Sequence, residues 1–139
     1  MSVRMFRLIL IAFIVSSLAG AFIDTLIPGL VPDAFLKAQE AQDELLFTSG
    51  YLIFIGLAVI TVLVTFVVAI IGLYRFRPWA PKLSLVITVI SYPIVGMSGA
   101  SAMSGVALAV TDLSATCWGV VLAAAYFSTI RDKFSGEDR

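Results

Sequence analysis

Residues 83–130 read LSLVITVISYPIVGMSGASAMSGVALAVTDLSATCWGVVLAAAYFSTI, 48 residues that carry one charge, Asp112. As a single helix, at about 1.5 Å per residue, this run would extend about 72 Å, more than twice the ~30 Å hydrocarbon layer of a bilayer. The chain must therefore turn back within it, and lipid tolerates no irregular backbone away from the membrane faces. The small-residue tract Gly96-Met97-Ser98-Gly99-Ala100-Ser101-Ala102-Met103-Ser104-Gly105 is where a tight turn fits. We place it near Ala102–Gly105, with spans at about 83–102 and 105–128 and Pro93 as a kink site in the first of the pair.

Two more apolar runs lie upstream. Leu8 to Ile27 follows Arg4 and Arg7 and ends at Pro28-Gly29; Leu45 to Tyr74 has no charge at all. Both are long enough to cross, which gives spans at about 8–27 and 47–73. The expected fold is all-α: one integral membrane domain over 1–139, a four-transmembrane-helix bundle with an outer loop at 28–46 and an inner loop at 74–82. The composition agrees. Of 139 residues, 60% are hydrophobic and 13% charged, where soluble domains average about 25% charged. Asp33 after Pro32 is positioned to N-cap a short helix to about Glu44, whose weak apolar face (Phe35, Leu36, Ala38) suits a membrane surface.

Lys and Arg set the orientation. Arg4 and Arg7 precede the first run, Arg75, Arg77 and Lys82 follow the second, and Arg131, Lys133 and Arg139 close the chain. The 28–46 loop has only Lys37 against four acids, and the 102–105 turn has no charge. Both termini are therefore expected in the cytoplasm. The first run also has the shape of a cleaved signal peptide, ending at Ala19-Gly20-Ala21. Phe22, Ile23, Leu26 and Ile27 continue it past that point, so we expect it to be retained. Short loops and small size suggest a bacterial cytoplasmic (inner) membrane.

The absences bound the chemistry. There is no His, one Cys (Cys117) and no Asn. Histidine-ligated haem or zinc, a histidine general base, a disulfide pair and N-glycosylation are all excluded. A lone Cys inside a helix reads as an apolar filler. Gly96-Met97-Ser98-Gly99 resembles the GxSG motif of rhomboid intramembrane proteases, but those enzymes need a His base and more helices, so no activity transfers. Four helices with one membrane acid also resemble the small multidrug exporters in architecture alone, and their acid is in the first helix. We expect no enzyme, no cofactor and no metal, and, with zero formal net charge, no nucleic-acid partner.

Three groups of residues remain candidates. An Asp at the centre of a spanning helix costs about 2.5–3.5 kcal/mol on insertion scales, so Asp112 is expected to be partnered or functional. With Thr111, Ser114 and Thr116 it forms a candidate intramembrane polar site. Gly96, Ala100 and Ser104 recur every four residues, as do Ser101, Gly105 and Ala109; Ser16/Gly20 and Ser17/Ala21 repeat the spacing. Such spacing lets helices approach closely, within the bundle or across a homodimer. Arg75, Arg77, Trp79 and Lys82 have the composition of cytoplasmic interface anchors. The partners expected are the lipid bilayer and a second copy or another membrane protein. The function expected is an accessory, assembly or interaction role, immunity or inhibitor type included. The alternative is an oligomeric transporter or channel subunit with Asp112 as coupling carboxyl.

Overall fold

A computed structural model describes residues 1–27, 29–46, 49–97 and 102–135. All its regular elements are helices: α1 Val3–Leu26, α2 Asp33–Leu46, α3 Ser49–Tyr74, α4 Ala80–Met97, α5 Gly105–Phe127 and α6 Arg131–Ser135. Four of them, α1, α3, α4 and α5, are long and apolar enough to cross a membrane. The protein is an integral membrane protein of the four-helix class. Helix α2 starts at Asp33, and α4 runs through Pro93 to Met97. Proline has no N–H to give the carbonyl four residues back, so α4 lacks one rung of its ladder there. The short α6 has no counterpart among the elements expected from sequence.

Local chemistry explains the ends. Ser2 caps α1, its hydroxyl accepting the Met5 N–H at 3.2 Å. Ser104 caps α5, accepting the Ala107 N–H at 3.1 Å. Each satisfies one of the donors that a helix start leaves open. Of the 98–101 part of the expected turn tract, and of Pro28, nothing is described; Ala102 to Ser104 is non-helical up to the cap.

Neighbouring helices form a ring in the order α1, α5, α4, α3, with α1 and α5 packed most extensively and α1 touching α3 least. Antiparallel contacts run the length of the α1–α5 pair. A Cβ built on Gly20 would lie 2.7 Å from Thr111 Oγ1, so only glycine allows that approach. One turn on, the Ser17 and Ser114 hydroxyls are hydrogen-bonded. Below them Phe13 stacks on Trp118, with centroids 4.8 Å apart. Trp118 is the hub of the bundle. Phe66 of α3 lies 4.7 Å from its ring, and its indole N–H donates to Thr88 Oγ1 of α4 at 2.8 Å. All four spanning helices thus meet at one side chain, whose polar atom is satisfied away from water.

Two ends are distinct. At the basic end, Phe6, Phe76 and Phe134 form an aromatic cluster joining α1, the α3–α4 turn and α6, with centroids 5.3–6.1 Å apart. The Met1 ammonium reaches Thr129 Oγ1 at 3.4 Å. At the acidic end, α1 finishes beside the start of α5, and α2 reaches the same place through Gln39, whose Oε1 accepts the Ala102 N–H at 3.1 Å.

Candidate functional site

Helix α5 has two faces, and they divide the polar residues expected to act together. The inward face buries Ser104, Ala107, Ser114, Trp118, Val121, Ala124 and Ala125. Thr111, itself exposed, borders the α1 seam against Gly20, its hydroxyl donating to the Ala107 carbonyl at 2.8 Å. The outward face carries Asp112 with Leu108, Ala109, Ala115, Thr116, Gly119 and Ala123, all exposed. Thr111 and Ser114 therefore face α1, whereas Asp112 and Thr116 face away from the bundle.

The Asp112 carboxylate has no hydrogen-bond or ion-pair partner among the described residues. The Thr116 hydroxyl donates to the Asp112 backbone carbonyl at 2.9 Å, not to its carboxylate. Asp112 lies seven residues into α5, about 10 Å along the helix from its start. An Asp side chain is far too short to climb that distance to water, unlike the long stems of Lys and Arg. The carboxylate thus projects outward from the bundle within the candidate span Gly105–Phe127, and uncompensated charge inside a span is costly.

Asp24 does have partners. Its Oδ2 accepts the Ser104 N–H at 2.9 Å, and its Oδ1 accepts the Ser104 hydroxyl at 2.5 Å. The hydroxyl in turn accepts from Ala107, so a carboxylate from the end of α1 completes the cap of α5. Negative charge at a helix N-terminus is favourable, and here it also fastens two helices together. The role of Asp24 is structural, and no sequence pattern announces it because its partner is 80 residues away.

The basic end has its own architecture. The Phe76 N–H donates to the Leu73 carbonyl at 3.1 Å, and the Arg77 N–H to the Gly72 carbonyl at 2.9 Å. With φ 53° at Phe76, this is a Schellman stop in which phenylalanine occupies the left-handed position usually given to glycine. The strain, roughly 1–2 kcal/mol for an L-residue, is offset by the aromatic contacts that the Phe76 ring makes. The turn brings Trp79 back onto α3. A Cβ on Gly72 would lie 2.7 Å from the Trp79 ring and 2.8 Å from Ala80 Cβ. Gly72 is thus the floor on which Trp79 rests. Arg75 and Arg77 are exposed at the mouth of a groove of about 380 Å³ beside it, and Lys82 lines a second groove with Arg131 and Tyr126. The Arg7 guanidinium lies over the Tyr74 ring at 4.7 Å, a cation–π contact at the same level.

The candidate packing residues separate as well. Ser16 and Gly20 are buried at the α1–α5 seam, Ser16 donating to the Ala12 and Phe13 carbonyls of its own helix. Ser104 is the buried cap. Gly96 and Gly105 face open space, with nothing within 4 Å of a Cβ built on either. Ala100 lies outside the described residues, as do Ser98, Gly99 and Ser101. Among the described residues no three metal-ligating side chains cluster. A groove of about 350 Å³ separates α1 from α3 and α4; its walls are apolar apart from Ser17 and Ser91, and Asp112 is not among them.

Compared with family models, curated proteins and solved structures, the chain matches none.

Proposed function

We propose that the protein is a non-enzymatic accessory or assembly subunit of a membrane complex, docking a partner helix on the outward face of α5. One observation carries this reading: Asp112 projects outward from a helix long and apolar enough to cross a membrane, with no partner among the described residues. Around it Ala109, Ala115, Gly119 and Ala123 keep the face flat, which favours close approach of another helix. A second copy would bring no cation to Asp112 from within its spans, because no Lys or Arg lies in the apolar runs 8–27, 45–74 or 83–130. A different membrane protein, with a Lys, an Arg or a hydrogen-bond donor within its span, complements the carboxylate better. In this reading the positive-inside pattern favours the basic end in the cytoplasm, with Asp24 and α2 outside, and the short loops and small size favour a bacterial inner membrane. Transport would call for Asp112 to line a polar pathway, whereas the groove between α1, α3 and α4 is apolar and does not include it.

Photo-crosslinking in the native membrane tests this. A crosslinker at Thr116 should capture one protein, and Asp112→Leu should abolish capture; a crosslinker at Leu63 on the exposed face of α3 should capture lipid only. Thr116 adducts to lipid alone would sink the reading. Adducts to a second copy would convert the partner into a homodimer.

A further inference from the structure

The groove at the basic end has the two-part character of a lipid, and we infer that it binds one anionic phospholipid. Its six lining residues are Val68, Ile71, Gly72, Arg75, Arg77 and Trp79, enclosing about 380 Å³. Val68 and Ile71 are exposed on the last turns of a spanning helix and make an apolar wall. Where the apolar run of α3 stops, two arginines, Arg75 and Arg77, both exposed, line the same groove. Guanidinium pairs with phosphate through parallel N–H donors and is the side chain best matched to it. No acidic residue lines the groove, and neither Arg75 nor Arg77 makes an ion pair with a described residue. Both cations are therefore open to an external anion.

The groove is built rather than incidental. Its floor exists because Gly72 has no side chain and Trp79 folds back over it. Its mouth exists because Phe76 takes the left-handed conformation, which places a tight turn between Arg75 and Arg77. Phosphate recognition alone would not need the apolar wall, and an acyl chain alone would not need two arginines. A phospholipid with net negative charge uses both. A zwitterionic lipid carries its own ammonium beside the phosphate and gains less from two cations.

The test is lipid titration of the full-length protein in neutral detergent, read by native mass spectrometry and thermal melting. Dioleoyl phosphatidylglycerol should bind at least tenfold more tightly than dioleoyl phosphatidylcholine. The double variant Arg75→Gln/Arg77→Gln should lose about 10- to 30-fold in phosphatidylglycerol affinity, given the typical contribution of a basic residue at an anionic membrane surface. The charge-matched Arg4→Gln/Arg131→Gln should stay within twofold of the parent. Val68→Trp, which fills the wall without changing charge at a position exposed to lipid, should also weaken binding. Equal losses in the two double variants would reduce the effect to diffuse surface charge and overturn the proposal. Stabilisation by inorganic phosphate equal to that by phosphatidylglycerol would make this an anion site and overturn the lipid assignment. So would unchanged affinity in Val68→Trp.

Discussion

Helices α1 and α3 cross the same membrane, yet they are held in it differently. Helix α1 lies against α5 along its whole length, through Gly20 on Thr111, Ser17 on Ser114, Phe13 on Trp118 and Asp24 on Ser104. Helix α3 is the more apolar of the two and the less buried; Ile53, Leu57, Ile60, Leu63 and Val64 all face outward. In water that order would be reversed. In lipid, hydrocarbon tails solvate leucine as well as protein does, so apolarity brings no helices together. Close backbone approach and hydrogen bonds do, and α1 has both.

The sharpest way to break this contrast is to put the same side chain on a glycine of each helix. Gly20→Leu pushes against Thr111, whose backbone N is only 3.4 Å from the new Cβ. Overpacking of this kind typically costs 1–3 kcal/mol, and we expect a loss near the top, about 3 kcal/mol, by thermal or denaturant melting in detergent. Gly56→Leu in α3 meets nothing within 4 Å and should stay within about 0.5 kcal/mol of the parent. Equal losses at both positions would mean that α3 is held as tightly as α1.

Asp24→Ala comes next. It removes a carboxylate that satisfies two donors of Ser104, and both cap loss and loss of charge-assisted bonds point to about 1–2 kcal/mol. Asp24→Asn keeps an acceptor and should recover about half of that. Asp112→Asn, on the same helix but facing outward, should not lower the stability of the isolated protein. If the two aspartates behaved alike, the division of α5 into a packed face and a docking face would be wrong.

What the sequence makes legible follows from how severe each constraint is. The number of spans and a fold-back somewhere within the 48-residue run follow from bilayer thickness, whereas the end of α4 at Met97, short of the expected 102, does not. The start of α2 is written in Pro32-Asp33. The sites are harder because a helix has no label for which side faces a neighbour. Asp112, Thr111, Ser114 and Thr116 are near in sequence, but a rotation of about 100° per residue sends Asp112 and Thr111 to different surroundings. Gly72 escapes a search for small residues spaced by four, since its partner Trp79 returns through a turn. Phe76 could not be read as a helix stop, because glycine is the expected residue there. One cue was available. Trp79 sits at an interface, where tryptophan is at home, but Trp118 is mid-span, and a tryptophan there needs an acceptor for its N–H.

That acceptor supplies the finest test of the comparison, since Trp118 is where the tightly and loosely held helices meet. Ser17→Ala cuts a single hydroxyl pair within the α1–α5 seam and should cost about 0.6 kcal/mol, the average for such bonds in membrane proteins. Trp118→Phe keeps an aromatic ring between Phe13 and Phe66 but deletes the 2.8 Å bond to Thr88. Thr88→Val deletes the same bond from the α4 side, and Thr88 already donates its own proton to the Ser84 carbonyl. If the bond itself ties α4 to the α1–α5 pair, the double variant should lose no more than the larger single loss, with a coupling of about 0.5–1 kcal/mol. Additive losses would show that Trp118 acts by ring packing alone, and that α4 is held, like α3, chiefly by van der Waals contact.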